Sequence, residues 1–266
     1  MPVRYAAVAD LFYPGNPQEL SLYVSNLLSQ AGLQAQDCLP QAKAIVVPHA
    51  GYIYSGSIAA SAYAALIGTN INRVILLGPA HRLAFPGLAL ATVDAFATPL
   101  GEVKSDVDSF EQALLLPGVH VNDAAHAQEH ALEVQLPFLQ TVLDEFVVLP
   151  VCVGSVQADV VAHLIECLWG DERTLFVISS DLSHFHHYNK ARILDQRSID
   201  MMLAGEANLS HEQACGATVI NAWLCAAAGH GLSAQLLDYR NSGDTAGDKD
   251  RVVGYASLAF FEPEVI

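Results

Sequence analysis

Short runs of consecutive apolar residues alternate along the chain with longer segments in which apolar positions recur at helical spacing. The apolar runs carry almost no polar alternation, which is typical of strands that are buried on both faces. The sequence therefore predicts strands over 44–47, 73–77, 87–91, 147–153, 174–178, 234–237 and 252–259.

The segments between these runs predict helices. The clearest helix signal is at residue 17, where Asn16 can cap, Pro17 suits the first turn and Glu19 stands at the capping-box position. Helices are predicted over 17–32, 57–68, 106–116, 125–142, 156–169, 187–204 and 217–229. Alternation of strands and helices predicts a layered α/β sandwich. We find no repeat and no linker, so a single domain over residues 1–266 is expected.

Composition narrows the classes of partner. The 266 residues are 52% hydrophobic, enough for one deep core, and carry 28 acidic against 12 basic side chains, a formal charge of −16. That charge repels nucleic-acid phosphates and anionic lipid headgroups, so neither nucleic acid nor membrane is an expected partner. The opening residues hold no apolar run of signal-peptide length, and no later run approaches the roughly 18 residues of a membrane span. A cytoplasmic protein is expected.

The cysteines do not form a structural framework in the sequence. They lie at positions 38, 152, 167, 215 and 225, an odd number with no CxxC pair. This arrangement argues against a disulfide scaffold and against a structural zinc cluster. We expect reduced thiols.

Histidines directly follow three of the predicted strands. His49 follows the first, His81 follows the second, and His184 follows the strand over 174–178. In open α/β sheets the ligand crevice lies beyond the carboxyl ends of the strands, so these side chains are expected at one edge. A single histidine at such a place is most often a hydrogen-bonded loop residue. Three at equivalent positions favour a shared site, and imidazole is the commonest protein ligand for zinc, copper and iron.

Asp181 and His184 lie three residues apart after the same strand. An aspartate that accepts the imidazole N–H makes the other ring nitrogen a better base, which suits a proton shuttle or the support of a ligand. The alternative is that Ser179, Ser180 and Asp181 cap a helix that begins near His184.

Cys215 differs from the cysteines at 152, 167 and 225, which lie in apolar segments. It precedes Gly216 and the helix predicted from residue 217, and a helix N-terminus lowers the pKa of a thiol. Cys215 is therefore a candidate ligand or redox thiol. The alternative is a buried cysteine with no chemical role.

The segment His126-Ala-Gln-Glu129-His130 matches the H-x-x-E-H pattern of inverted zinc metallopeptidases. The pattern has low specificity, Pro137 would bend the helix, and the segment offers no obvious third zinc ligand. The preferred interpretation is that Glu129, His130 and Glu133 face the mouth of the pocket. Glu129 and His130 would then contact the substrate or support a ligand.

Blocks spread over most of the chain together resemble the Memo family, first known for a mediator of cell motility. The blocks are Phe12–Pro14, Val47–Gly56, Leu77–His81, Glu129–Phe138, Ser179–His184, Cys215–Gly216 and Val253–Ala256. The resemblance implies a fold similar to class III extradiol dioxygenases, an α/β sandwich in which two histidines and a glutamate hold ferrous iron. By position, His49 and His81 match the histidine ligands and His184 matches the proton-handling histidine. Cys215 stands where the glutamate would be.

Cys215 changes what the resemblance implies about chemistry. A thiolate in place of a carboxylate softens the site and favours copper or zinc as well as iron, which weakens the case for ring opening. The resemblance implies iron or copper, zinc being possible, bound by His49, His81 and Cys215, and a redox role. It also implies phosphotyrosine-peptide binding by eukaryotic members and, in some prokaryotes, a functional link to a radical-SAM enzyme.

Three functions follow as expectations. The first is a metal-dependent oxidoreductase, dioxygenase-like, in which Asp181 and His184 move protons on an unknown small molecule. The second is a module that binds a peptide or phosphopeptide in the same pocket without turnover. The third is a metallohydrolase with Glu129 as base. Substrate contacts are expected from Glu129, His130, Tyr52 and Arg82, the last of which could hold a phosphate.

Overall fold

The computed structural model describes residues 2–34 and 41–263, apart from the side chains of residues 33 and 34. Cys38 lies outside these residues. The other four cysteines are all free thiols, as expected. None of the helices in the described ranges is long and apolar enough to span a membrane.

Twelve strands form one mixed sheet in the described part of the chain. They are β1 (Val3–Arg4), β2 (Ala42–Val47), β3 (Arg73–Pro79), β4 (Leu88–Leu90), β5 (Ala95–Thr98), β6 (Gly101–Ser105), β7 (Val119–Val121), β8 (Val147–Val153), β9 (Thr174–Ser179), β10 (His184–His186), β11 (Ser233–Asn241) and β12 (Val252–Phe261).

The same residues form nine α-helices. They are α1 (Pro17–Gln34), α2 (Tyr52–Ala64), α3 (Val107–Leu114), α4 (Asp123–Ala127), α5 (His130–Glu133), α6 (Leu136–Val142), α7 (Ala158–Cys167), α8 (Tyr188–Ala204) and α9 (Ala217–Gly229).

The centre of the sheet is parallel. Its main path runs β1-β5-β6-β8-β3-β9-β2-β12-β10, with β11 on β12 and β4 between β7 and β8. The pairs β8–β3, β3–β9 and β9–β2 are all parallel, whereas β12 runs antiparallel to β2. The carboxyl ends of β2, β3, β8 and β9 therefore meet at one edge of the sheet.

Hydrophobic cores cover both faces of the sheet. Along β2, Ile45 and Val47 join the core that includes residues of α1, α2 and α6, while Ala44 and Val46 join the core that includes residues of α7, α8 and α9. Alternate residues of a strand point to opposite faces, so a fully apolar strand is needed when both faces are covered. The predicted layered α/β sandwich is confirmed.

Two predicted helices differ from those observed, and the first is the helix expected over 57–68, which begins earlier, at Tyr52, as α2. The helix expected over 125–142 is three short helices, because α4 ends at Ala127, Glu129 caps α5 and Pro137 begins a new turn in α6. The helix predicted over 187–204 is confirmed as α8, which begins at Tyr188, whereas the alternative of a helix beginning near His184 is wrong because His184 lies in β10. Capping of that helix by Ser179, Ser180 and Asp181 is therefore wrong.

Candidate metal centre

The loops that leave β2, β3 and β9 bring together the residues predicted from the strand ends. His49, His81 and Asp181 are each the second residue after their strand. Since the three strands are parallel neighbours, the three side chains lie at the same edge of the sheet. The convergence expected from the sequence is present.

Three imidazoles meet at this edge. The ligand atoms of His49, His81 and His130 all lie within 4.8 Å of one another, and the ring centroids are 4.7–5.6 Å apart. His130 is the first residue of α5, and its buried Nδ1 lies 3.3 Å from Glu129 Oε1 without forming a hydrogen bond among the described residues. A cluster of this kind could hold one metal ion.

Glu129 holds His81 in this cluster. Its carboxylate accepts hydrogen bonds from His81 N (2.6 Å), from His81 Nδ1 (3.0 Å) and from Ala131 N (2.9 Å). Burial acts to raise the pKa of Glu129, but these hydrogen bonds outweigh it and lower the pKa to about 2. Because the ionised carboxylate of Glu129 accepts the hydrogen bond from His81 Nδ1, Nε2 of His81 is free to bind a metal. Metal-bound histidines commonly have a carboxylate on the other ring nitrogen in this way.

His49 is the most buried of the three imidazoles, with a relative exposure of 2%. Its main-chain N–H donates to Asp181 Oδ1 at 2.8 Å, and its Nδ1 lies 2.8 Å from Ser179 Oγ. Burial, followed by the neighbouring His81, lowers the pKa of His49 to about 3. The ring is therefore neutral at physiological pH, as a metal ligand must be.

Cys215 contacts the other ring nitrogen of His49, Nε2. Its Sγ lies 3.3 Å from His49 Nε2 and accepts the Asp181 N–H at 3.3 Å. Burial and the charge of Asp181 raise the pKa of the thiol to about 12, although hydrogen bonds from Ser180, Asp181 and Gly216 oppose them. The expected lowering of this pKa by the start of α9 is therefore wrong, because burial outweighs the helix terminus.

Asp181 and His184 do not form the predicted hydrogen bond in the described structure. The Asp181 carboxylate is buried and is occupied by the backbone of His49. His184 is half-buried in β10, close enough for its charge to act on Asp181. Burial raises the pKa of Asp181. The two side chains flank the site, but they are not bonded to each other.

Tyr52 and Arg82 occupy contrasting positions. Tyr52 is buried, its hydroxyl donates to Val134 O at 2.6 Å, and its ring packs on Phe138. It is part of the core behind the site, so the predicted substrate contact does not fit its position. Arg82 is exposed beside His81, and its charge acts on His130.

The metallopeptidase pattern does not form a metal site. His126 is buried and its Nε2 bonds to Ala89 O at 2.8 Å, whereas His130 follows the break between α4 and α5. Glu129 makes three hydrogen bonds to His81 and Ala131, which leaves it poorly placed to act as a general base.

Sequence reasoning assigned no role to Arg4, which is buried beneath the site. Its guanidinium forms an ion pair with Glu133 and donates to the carbonyl oxygens of His126 (3.1 Å) and Glu129 (2.8 Å). These bonds fix the segment that carries Glu129 and His130. Nothing in the local sequence signals this role, because the partners lie more than 120 positions away.

The donor set fits a transition-metal ion. Two ligands at about 2.0–2.3 Å from a tetrahedral ion are about 3.3–3.8 Å apart. His49 Nε2 and Cys215 Sγ, 3.3 Å apart, already have about this separation, and the ligand atoms of the three imidazoles lie within 4.8 Å of one another. Nitrogen and sulfur donors suit iron, copper and zinc and do not suit magnesium or calcium.

Comparison with known proteins gives one consistent result. The family model described as "Memo-like protein" matches residues 4–259. A protein of Aquifex aeolicus is 37% identical over 275 residues, covering 98% of this chain and 100% of its own. One from Archaeoglobus fulgidus is 33% identical, covering 97% and 99%, and one from Sulfolobus acidocaldarius is 34% identical with the same coverage. All three are named MEMO1 family protein.

Proposed function

The chain belongs to the Memo family, and from that premise we propose that it is a metal-dependent oxidoreductase with one mononuclear centre at the edge of the sheet. His49 and His81 supply two ligands. His130 completes the imidazole set and Cys215 joins it as a thiolate from the side of His49. The convergence of the three imidazoles is the observation that carries this proposal.

The metal in this proposal is iron or copper. Either ion, when bound, would supply one-electron chemistry and a binding position for dioxygen or an oxidisable small molecule. Three neutral imidazoles and a thiolate form a softer set than the carboxylate-containing site of an extradiol dioxygenase, so zinc also fits. Cys215 loses its proton on metal binding, and affinity therefore rises with pH.

The residues of the chain have separate tasks in this proposal. His184, half-buried at the rim, moves a proton to or from the bound molecule. Asp181 accepts the backbone N–H of His49 and lies close to His184. Glu129 keeps His81 oriented, and exposed Arg82 contacts anionic parts of the substrate.

Metal analysis tests this proposal. Metal-free protein would be loaded anaerobically with Fe(II), or separately with copper, then dialysed and analysed. We expect about one ion per chain, and much less in His49→Ala and His81→Ala. His163→Ala is the matched control, since His163 is exposed on α7. A wild type that retains no ion, or a His49→Ala variant that retains as much as wild type, would refute the proposal.

The second candidate function is a module that binds a peptide or phosphopeptide without turnover. The surface beside His184, formed by Phe185, Tyr188, Lys249 and Arg251 and called the rim below, favours it. Exposed Phe185 lies 5.0 Å from the Arg251 guanidinium, and Lys249 lies 4.6 Å from the ring of Tyr188. Cations held on aromatic faces suit an anionic aromatic group such as a phosphotyrosine side chain.

Titration with O-phosphotyrosine tests this candidate, with metal-free and metal-loaded protein compared. If the module interpretation is right, binding persists without metal and Arg251→Ala weakens it. Arg173→Ala, which removes an exposed arginine outside this rim, serves as the control. Absence of binding to either form would rule the candidate out.

A further inference from the structure

Behind His49 lies a buried chain of polar side chains that the proposed metal site does not use directly. His49 Nδ1 lies 2.8 Å from Ser179 Oγ, Gln135 Nε2 lies 2.9 Å from the same oxygen, and Tyr63 OH lies 2.9 Å from Gln135 Oε1. The relative exposures of Ser179, Gln135 and Tyr63 are 0–1%. Buried polar groups of this kind must satisfy one another, so the direction of each hydrogen bond can be worked out.

The orientation of the Gln135 amide is fixed by Pro48. The Pro48 carbonyl can only accept a hydrogen bond, and it lies 3.0 Å from Gln135 Nε2. The amide NH₂ must therefore face Pro48, because the opposite orientation would set two oxygens against each other. The same NH₂ also reaches Ser179 Oγ, so Ser179 accepts this bond. Tyr63 then donates to the remaining amide oxygen.

The single hydroxyl proton of Ser179 is also accounted for. Ser179 Oγ lies 2.6 Å from Ala131 O, another group that can only accept. The hydroxyl must donate there, since two oxygens at that distance require a proton between them. Ser179 therefore has no proton to give to His49. It can only accept from the imidazole, with its two lone pairs taken by Gln135 and His49.

From this network we infer that Ser179, oriented by Gln135, is a positioning residue that holds His49 as the tautomer with its proton on Nδ1. The Nε2 lone pair of His49 then faces Cys215 Sγ. The consequence for metal binding rests on the proposed function. The tautomer itself does not depend on it.

This arrangement prepares the ligand before any ion arrives. An imidazole that changes tautomer freely would present N–H to the site part of the time, and that N–H would donate to Cys215 Sγ. With Nδ1 protonated, Nε2 can only accept, so any hydrogen bond across the 3.3 Å to Cys215 Sγ has the thiol as its donor. Fixed tautomers of this kind are usual where a second hydrogen bond supports a metal-bound histidine.

The tautomer can be read directly in metal-free protein. Long-range ¹H–¹⁵N correlation spectra near neutral pH distinguish protonated from unprotonated ring nitrogens, and the His49 signals are identified by their loss in His49→Gln. We expect a protonated Nδ1 and an unprotonated Nε2 in wild type. A protonated Nε2 in wild type would overturn the inference, whatever the variants do.

Variants separate Ser179 from the rest of the network. In Ser179→Ala the preference is expected to be lost, with a substantial fraction of His49 protonated on Nε2. Ser183→Ala is the matched control, because Ser183 Oγ is buried without a partner among the described residues, and it should leave the spectrum unchanged. Tyr63→Phe should also preserve the tautomer, since Pro48 still orients Gln135. An unchanged tautomer in folded Ser179→Ala would contradict the inference.

Metal affinity links the inference to the proposed function. Loss of a hydrogen bond of this type typically weakens metal binding by about 10- to 100-fold, and we expect that loss in Ser179→Ala and not in Ser183→Ala. If wild type has the expected tautomer but binds no metal, the proposed function fails and the network stands. If metal binds but His49 is protonated on Nε2 in the metal-free protein, the inference about the tautomer is wrong and the proposed function is unaffected.

Discussion

The Nε2 atom of His49 lies 3.3 Å from the Sγ atom of Cys215, although the two residues are 166 positions apart in the chain. His49 follows a central parallel strand, and Cys215 precedes α9 on one face of the sheet. His49 also belongs, with His81 and His130, to a group of imidazoles at the edge of the sheet that could hold a metal ion.

The proposed binding of the metal by both Cys215 and His130 can be tested with Cys215→Ser and His130→Ala. If the thiolate binds, wild type loaded with Cu(II) or Co(II) shows a sulfur-to-metal charge-transfer band that disappears in Cys215→Ser. Cys225→Ser, which removes an exposed thiol on α9, should keep the band. If no band forms and only His130→Ala loses the ion, the centre is a set of three histidines without sulfur.

Lowering the pH should reduce the free energy of unfolding of the metal-free protein, because the pKa of His49 is lowered in the folded state. Its pKa is about 3 in the folded protein against 6.5 for an ordinary histidine, so the unfolded chain takes up the proton first as the pH falls. Stability is therefore lost between these values, with a slope approaching about 1.4 kcal/mol per pH unit. The pKa of Glu129, lowered from 4.5 to about 2, adds a further loss below pH 4.5.

Urea unfolding of metal-free protein at several pH values measures this slope. His49→Gln removes the titrating group, so its curve should be shallower than that of wild type in the mildly acidic range. His163→Gln, at an exposed position, should follow wild type. Parallel curves for wild type and His49→Gln would show that the buried imidazole does not carry the acid sensitivity.

Substitution of Glu133, beneath the pocket, should strongly lower the free energy of unfolding. The buried carboxylate accepts hydrogen bonds from four donors, namely Arg4 Nη1, Ala7 N, Val8 N and Tyr13 OH. Glu133→Gln leaves the Arg4 charge buried without its partner, which typically costs about 3–5 kcal/mol. Metal affinity should fall as well, because Arg4 also holds the carbonyl of Glu129.

The control for that substitution is an ion pair on the surface. Arg173 and Asp171 are well exposed, so Arg173→Met should leave the urea midpoint within experimental error. Equal effects of Glu133→Gln and Arg173→Met would mean that burial of the Arg4 pair has no energetic consequence.

Gly254 should not tolerate a side chain. A Cβ at this position would lie 2.2 Å from Asp195 Oδ2, and Asp195 is buried with hydrogen bonds from Ser183 N and Tyr239 OH, both at 3.0 Å. Gly254→Ala is therefore expected to cost about 1–3 kcal/mol in unfolding free energy. Gly229→Ala, at the end of α9 with no atom within 4 Å of its added Cβ, should be neutral or slightly stabilising. Similar effects of both substitutions would contradict this account.

Much of the fold could be predicted because local signals and tertiary structure agree. The strand over 147–153 and the helix over 217–229 match the structure to the residue. Asn16 caps α1 as expected, with its side chain accepting from the N–H of Gln18 and Glu19. The short strands β5 and β6 were not predicted, because β5 has only four residues and β6 has a single buried apolar residue; they pair with each other and with β1 and β8.

The candidate site was predictable only in part. His49 and His81 follow from the strand ends, because parallel strands bring their carboxyl ends together. The place of His130 among them depends on the break between α4 and α5 and on Arg4, which are set by long-range contacts. Tyr52 was predicted as a substrate contact, but α2 begins at Tyr52 and its ring is buried, which the sequence prediction of a helix from residue 57 did not anticipate.

The most direct test of the account is a crystal structure of the metal-loaded protein with anomalous data collected across the iron or copper edge. We expect one anomalous peak per chain, at about 2.0–2.3 Å from His49 Nε2 and from ring nitrogens of His81 and His130, with Cys215 Sγ within reach of the ion. Loaded crystals with no peak among these side chains, or with a peak elsewhere and this cluster empty, would contradict the proposed metal centre.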